Sequence, residues 1–254
     1  MPTDLKDKRV LITGSSTGIG AAVAKGFAAA GARVVVHYHA SAEEAERVVA
    51  EIGEAGGSAL ALAGDLGARG GSVALVEAAA ARLGGLDVLV NNAGALLRRA
   101  FIGDIDDALF DKVVDLNVRA VVMASQAAVP HLQKAGRGSI INTTSVAARN
   151  GGGPGSALYG GSKGFIANVT RNMARELAPQ GIRVNAVAPG VILTPFHDRF
   201  TTPAQLEQFV KGVPMGSAGR PEDCVGAYLF LASPAMSGYI TGQTIEVNGG
   251  QLMP

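Results

Sequence analysis

Short apolar runs and helix-period stretches take turns along nearly the whole 254-residue chain, and this alternation restricts the fold more than any other feature. Runs at 9–13 (RVLIT), 33–38 (RVVVHY), 58–63, 86–90 (LDVLV), 139–144 (SIINTT), 182–187 (IRVNAV) and 244–247 read as strands. Stretches at 18–30, 42–54, 72–83, 106–134, 157–177, 203–211 and 221–232 read as helices. Most of the strand runs are apolar throughout, as strands covered on both faces must be. Strands that alternate with helices build βαβ units. The expected fold is therefore α/β: a doubly wound, Rossmann-like parallel sheet of about seven strands with helices on both faces. Gly31 stops the first helix, and Ser41 with Glu44 forms a capping box for the second. No repeat or linker divides the chain, so 1–254 reads as one domain. Residues 191–220 break the rhythm with Pro195, Pro203, Pro214 and one helical patch. An excursion of that length is a functional lid or a poorly ordered loop, and we expect a substrate-side lid.

Composition closes off other classes. With 48% hydrophobic and 17% charged residues the chain is not of a disordered type. A net charge of +1 offers no field for nucleic acid. No apolar leader precedes residue 9 and no run reaches eighteen apolar residues, so we expect no membrane segment and a reducing, cytoplasmic setting. The single cysteine, Cys224, excludes an internal disulfide and reads as a core residue.

Between the first strand and first helix lies TGSSTGIG, residues 13–20. Gly14, Gly18 and Gly20 permit positive φ and close backbone approach, and the helix that follows aims free N–H groups at an anion. The strand before and the helix after make this a phosphate loop rather than an ordinary turn.

The loop resembles the TGxxxGIG cofactor loop of the short-chain dehydrogenase/reductases, and the resemblance continues along nearly the whole chain. Gly64-Asp65-Leu66 follows the third strand, Asn91-Asn92-Ala93-Gly94 matches the family's NNAG element, and Asn117 lies in DLNVRA. Ser145 closes NTTS, Tyr159 and Lys163 form YxxxK, and Pro189-Gly190 with Thr194 form PGxxxT. The resemblance implies a nicotinamide-dependent oxidoreductase that interconverts an alcohol and a carbonyl. It implies cofactor contacts from Gly14, Ser16, Thr17, Gly18, Ile19, Gly20, Asp65, Leu66, Asn91, Ala93, Gly94, Tyr159, Lys163, Pro189, Gly190, Ile192 and Thr194. It also implies a homotetramer with the 106–134 and 157–177 helices in its interfaces.

The catalytic set has its own physical sense. Tyr159 and Lys163 are four apart and share a helix face, so an ammonium stands beside a phenol. A phenol's pKa is about 10, and a nearby cation lowers it by roughly 1–3 units, which suits Tyr159 to proton transfer. Ser145, at the carboxyl end of its strand, would orient the substrate oxygen; the adjacent Thr144 is the alternative. The family's roles for the lysine, which grips the nicotinamide ribose, and for the helix asparagine, which anchors a water, pass by resemblance to Lys163 and Asn117. The serine–tyrosine separation exceeds the family's usual one by one residue, which the glycines of 151–155 can absorb in a loop. No metal is expected: His37, His39, His131 and His197 have no carboxylates at ligand spacing, and His37 and His39 read as cofactor-side or solvated. Ser145 also lacks the G-x-S-x-G elbow of a hydrolase.

The end of the second strand meets the adenosine ribose, where an acid would select NAD. Here it reads His37-Tyr38-His39, with no acid before Glu43. We expect NADP, its 2′-phosphate met by His39, Ser41 and Thr17, with NAD as the alternative. Segments 96–101, 147–158 and 191–220 should form the substrate pocket, with Arg98, Arg99, His197, Asp198 and Arg199 in them. The polar lid favours a small-molecule substrate such as a sugar or other small polar alcohol. The alternatives are a 3-oxoacyl-thioester reductase, whose acidic carrier the arginines could dock, and a non-catalytic NAD(P)-binding regulator.

Overall fold

The computed structural model describes residues 3–254. The seven strands are β1 Arg9–Ile12, β2 Arg33–Tyr38, β3 Ser58–Ala63, β4 Val88–Asn91, β5 Gly138–Thr143, β6 Ile182–Pro189 and β7 Thr244–Val247. They form one parallel sheet in the order β3-β2-β1-β4-β5-β6-β7. The strand order reverses between β1 and β4, the place where such sheets open a ligand crevice beyond the strands' carboxyl ends.

Strand side chains alternate between two cores, which is why the central strands are apolar throughout. Val10, Ile12, Val34, Val36, Val88 and Val90 face one side, with α1 (Gly18–Ala29), α2 (Ala42–Glu54) and α10 (Pro221–Ala232). Leu11, Val35, Leu89, Ile140 and Val184 face the other, with α3 (Gly71–Leu83), α5 (Ala120–Lys134) and α7 (Ala157–Leu177). Cys224 is fully buried in the first core, and burial pushes its thiol up to about 12. No helix among the described residues is long and apolar enough to cross a membrane.

Three local expectations change. Ser41 precedes α2, but its side chain makes no capping bond, so the capping box is absent. The stretch 106–134 is not one regular α-helix: α4 (Asp107–Val114) and α5 are joined by a π-helical turn at Asp115–Arg119. The excursion at 191–220 contains two helices rather than one, α8 (Pro195–Phe200) and α9 (Pro203–Lys211). Pro195 and Pro203 open them, at the position where a missing N–H costs nothing. The excursion's ends meet in a bridge between Ile192 and Gly219, so it is a closed flap on the body. Short helices α6 (Ala147–Asn150) and α11 (Pro234–Ser237) also gave no periodic signal.

Candidate active site

The loop after β1 turns on positive φ at Gly14 (+61°) and Gly18 (+56°), which side chains resist. A Cβ on Gly20 would lie 2.3 Å from Gly14 O, so α1 packs on its own loop as only glycine allows. Thr17 precedes α1 without a side-chain cap, which leaves the first-turn N–H groups for an anion. A cradle of this kind suits a pyrophosphate such as a dinucleotide carries. His37 is not solvated, although it borders the cleft. It is 2% exposed under the loop, where its Nδ1 accepts the Gly14 N–H and its Nε2 faces Gly64 O.

Asn92 was missed in favour of its neighbour. Asn92 Nδ2 donates to Thr13 O and Gly14 O, which ties β4 to the phosphate loop. Asn91 points into the core, donating to Ser125 Oγ and Asn142 Oδ1, and does not line the cleft. Adjacent residues at the end of a strand face opposite sides, so only one of the pair meets the loop. Ser41 also lies outside the cleft lining.

A cleft of about 560 Å³ runs from the loop across the strand ends to the flap. It gathers the other expected cofactor residues. Gly14, Ser16, Thr17, Gly18, Ile19 and Gly20 form one end, with His39, Asp65 and Leu66 beside it. Ala93, Gly94, Pro189, Gly190, Ile192 and Thr194 line the middle. His39 and Asp65 are both exposed, with Nε2 and Oδ2 3.9 Å apart.

Ser145, Tyr159 and Lys163 meet in that middle. Ser145 follows β5 and its Oγ accepts the Ala147 N–H at 3.1 Å. Thr144 is engaged elsewhere: it is buried and its hydroxyl donates to Lys163 O, which leaves Ser145 as the cleft hydroxyl beside the phenol. Lys163 is 4% exposed; its Nζ donates to Thr143 O at 2.8 Å and stands 5.8 Å from the Tyr159 ring centre. Burial draws the lysine down to about 8. Burial also raises the Tyr159 phenol, against a smaller opposite pull from the Ser145 hydroxyl. The lowering expected from Lys163 is therefore not seen in the protein alone, where loss of water dominates and only the Ser145 hydroxyl pulls the other way.

Asn117 stands one layer behind, on the π-helical turn, fully buried. Its Oδ1 accepts the Ala95 N–H, and its Nδ2 donates to Ala95 O and Ser162 Oγ. A Cβ on Gly94 would lie 3.1 Å from both Asn117 Oδ1 and Lys163 Nζ, so that glycine lets the two groups approach.

The flap supplies the far wall. The Phe196 ring packs 5.5 Å from Tyr159, and His197 meets Phe196 edge-on. Arg99 ties the flap to the glycine-rich loop, donating to Phe200 O and Pro154 O. Gln251 Oε1 is a buried acceptor in the same cleft, with no partner among the described residues.

Known proteins share this whole architecture. Residues 14–251 match the family model described as enoyl-(acyl carrier protein) reductase. The chain is 38% identical over 255 residues to a 3-oxoacyl-[acyl-carrier-protein] reductase of Synechocystis, covering 99% of each. It is 40% identical to an NADH-dependent reductase described as responsible for alginate metabolism, covering 99% of this chain and all of the other at a TM-score of 0.91. A short-chain dehydrogenase from Burkholderia cenocepacia, solved in complex with NADP, is 37% identical, covering 98% of this chain and 99% of the other at a TM-score of 0.91.

Proposed function

Since the chain belongs to the short-chain dehydrogenase/reductase family, and so is an NAD(P)-dependent oxidoreductase, we propose that its substrate is a sugar or other small polar alcohol and the matching ketone. The observation that carries the chemistry is the Tyr159 phenol beside the Ser145 hydroxyl, in a cleft continuous with the α1 cradle. Bound nicotinamide supplies or accepts the hydride. The chain's own groups manage the proton: Tyr159 donates it to the carbonyl oxygen in reduction and takes it back in oxidation. Ser145 holds that oxygen and Lys163 supports the phenol. Asn117 supports the site from behind by holding Ala95, next to Gly94, and Ser162, next to Lys163.

The polar substrate is supported by Gln251, whose partnerless buried acceptor invites a substrate hydroxyl. NADP is the preferred cofactor in this reading, because β2 ends in Tyr38 and His39 without a carboxylate to repel a 2′-phosphate. Residues 191–220 act as the lid, the chain works as one domain, and the expected assembly is a cytoplasmic homotetramer, which light scattering checks for size.

The likeness to a 3-oxoacyl-thioester reductase gives the second reading. Against it, Arg98 is paired with Asp106, and Arg99 is held in the cleft wall between the flap and the glycine-rich loop rather than presented to an external acidic carrier. Steady-state assays on polyols, sugars, neutral ketones and acyl thioesters, with both nicotinamides, decide. The proposal expects the polar substrates to lead by at least tenfold in kcat/KM. Thioester preference overturns it, and cofactor binding without turnover supports an idle regulator.

A further inference from the structure

The cleft is electrically lopsided. The one carboxylate among its lining residues, Asp65, stands beside His39 at the β3 end. The flap wall carries Arg99, His197 and Arg199, with no Asp or Glu in the lining there. Neither arginine has a carboxylate within ion-pair distance among the described residues.

Arg99 is held like a binding group. Its Nε and Nη1 donate to Phe200 O at 2.7 Å and Pro154 O at 2.9 Å. A guanidinium has five N–H donors, and carbonyls cancel none of its charge. Three donors and the full positive charge remain. His197 is fixed beside it, with Nδ1 3.0 Å from Thr201 Oγ1 and its ring edge-on to Phe196. Burial lowers the histidine's pKa, Asp198 opposes this and Arg99 adds to the lowering, so the ring favours its neutral form and offers an N–H rather than a second charge.

This cluster is not part of the pyrophosphate cradle. The cradle meets α8 at its first residues, where Gly18 packs on Thr194 and Pro195. Phe196 separates the cluster from Tyr159, with ring centres 5.5 Å apart on one side and 5.6 Å on the other.

We infer that the substrate carries a carboxylate, seated on Arg99 and His197 under the added field of Arg199, several bonds away from the carbonyl that Tyr159 serves. A planar carboxylate matches the remaining edge of a guanidinium fork, whereas a phosphate would want more donors than this wall offers. The inference rests on the reading of the enzyme as acting on a small polar substrate, and it makes that substrate a hydroxylated keto acid.

The test titrates the enzyme–NADPH complex by reduced-nicotinamide fluorescence, which needs no turnover. Probes are levulinate against methyl levulinate, galacturonate against galactose, and galactose phosphate. The acids should bind at least tenfold more tightly than their neutral partners, and added salt should narrow the gap. Both Arg99→Gln and His197→Gln should erase the gap while cofactor affinity stays unchanged. His197→Gln serves alone if loss of the Arg99 ties unfolds the flap. Equal binding of acid and neutral partner overturns the inference, as does a gap that survives His197→Gln, or a phosphate that outbinds both acids. Turnover of neutral polyols with no acid preference sinks the carboxylate seat alone. Turnover of thioesters only sinks the polar-substrate reading with it.

Discussion

His37 Nδ1 accepts the backbone N–H of Gly14 at 2.8 Å, so a buried imidazole supports the first glycine of the phosphate loop. The accepted bond puts the ring's proton on Nε2, toward Gly64 O at 3.1 Å. Burial lowers the histidine's pKa, the Gly64 contact opposes this, and His39 adds to the lowering. Below about pH 6.5 the unfolded chain therefore takes up a proton that the folded one refuses. The contribution to stability is whole above that pH and is lost as pH falls towards the folded-state value. Melting temperature and cofactor affinity should fall together on acidification from about pH 6.5. In His37→Gln both should be lower at neutral pH and flatter with pH. Calorimetry and cofactor titration across that range check it, and an unchanged acid slope in the variant would show that another group is responsible.

Asn117 satisfies both backbone groups of Ala95 and the Ser162 hydroxyl from inside the π-helical turn. Asn117→Leu strands these buried partners, at about 1–3 kcal/mol for each unsatisfied group. Chemical denaturation should register the loss. Turnover should fall even where the variant stays folded, because Ser162, next to Lys163, loses its bond to Asn117.

The elements legible in the sequence are those with strong local punctuation. The helices Ala157–Leu177, Pro203–Lys211 and Pro221–Ala232 have their expected bounds, as do β2, β3 and β7. What stayed hidden depends on the third dimension. The π-helical turn has the same apolar spacing as its flanks, so nothing local marks it. Asn91 and Asn92 are chemically identical, and only the sheet decides which one meets the loop. Burial of Tyr159 and Lys163, which pushes each towards its neutral form, is a property of packing that four-residue spacing does not encode.

Gly20 tests the close approach of helix and loop. A Cβ there would lie 2.3 Å from Gly14 O, 2.6 Å from Asn92 Nδ2 and 2.8 Å from Ser15 Cα. Two of these atoms are backbone and cannot swing aside. Gly20→Ala should lower the melting temperature and weaken dinucleotide binding by more than tenfold, as read by thermal shift with and without cofactor.

His39 tests the cofactor reading. It is exposed at the end of the cleft beside the phosphate loop, where in the proposed reading it can bond a 2′-phosphate. His39→Asp places a carboxylate beside that phosphate and offers an acceptor to a plain ribose. The ratio of kcat/KM for NADP over NAD should fall by about tenfold, equivalent to about 1.4 kcal/mol. An unchanged ratio would place the discrimination elsewhere.

Tyr159 and Lys163 make the sharpest prediction, because burial acts on both in the direction of neutrality. It raises the phenol and brings the lysine down to about 8, so the protein alone resists the phenolate–ammonium pair that catalysis needs. For the lysine, the unfolded chain keeps its proton between about pH 8 and about pH 10.5 while the folded chain loses it, so stability from this group rises with pH across that window. Below the window, the buried ammonium costs on the order of 3 kcal/mol. Lys163→Met removes that charge, although it leaves Thr143 O without its bond. The variant should melt no lower than the parent at pH 7, lose its advantage towards pH 10, and show almost no turnover. Tyr159→Phe should keep the fold and the cofactor affinity while turnover drops by roughly 10²–10⁴, the range for a positioned general acid or base. Near-parental turnover in Tyr159→Phe would remove the phenol from the mechanism, and a strongly destabilised Lys163→Met would show that the Thr143 bond outweighs the buried charge.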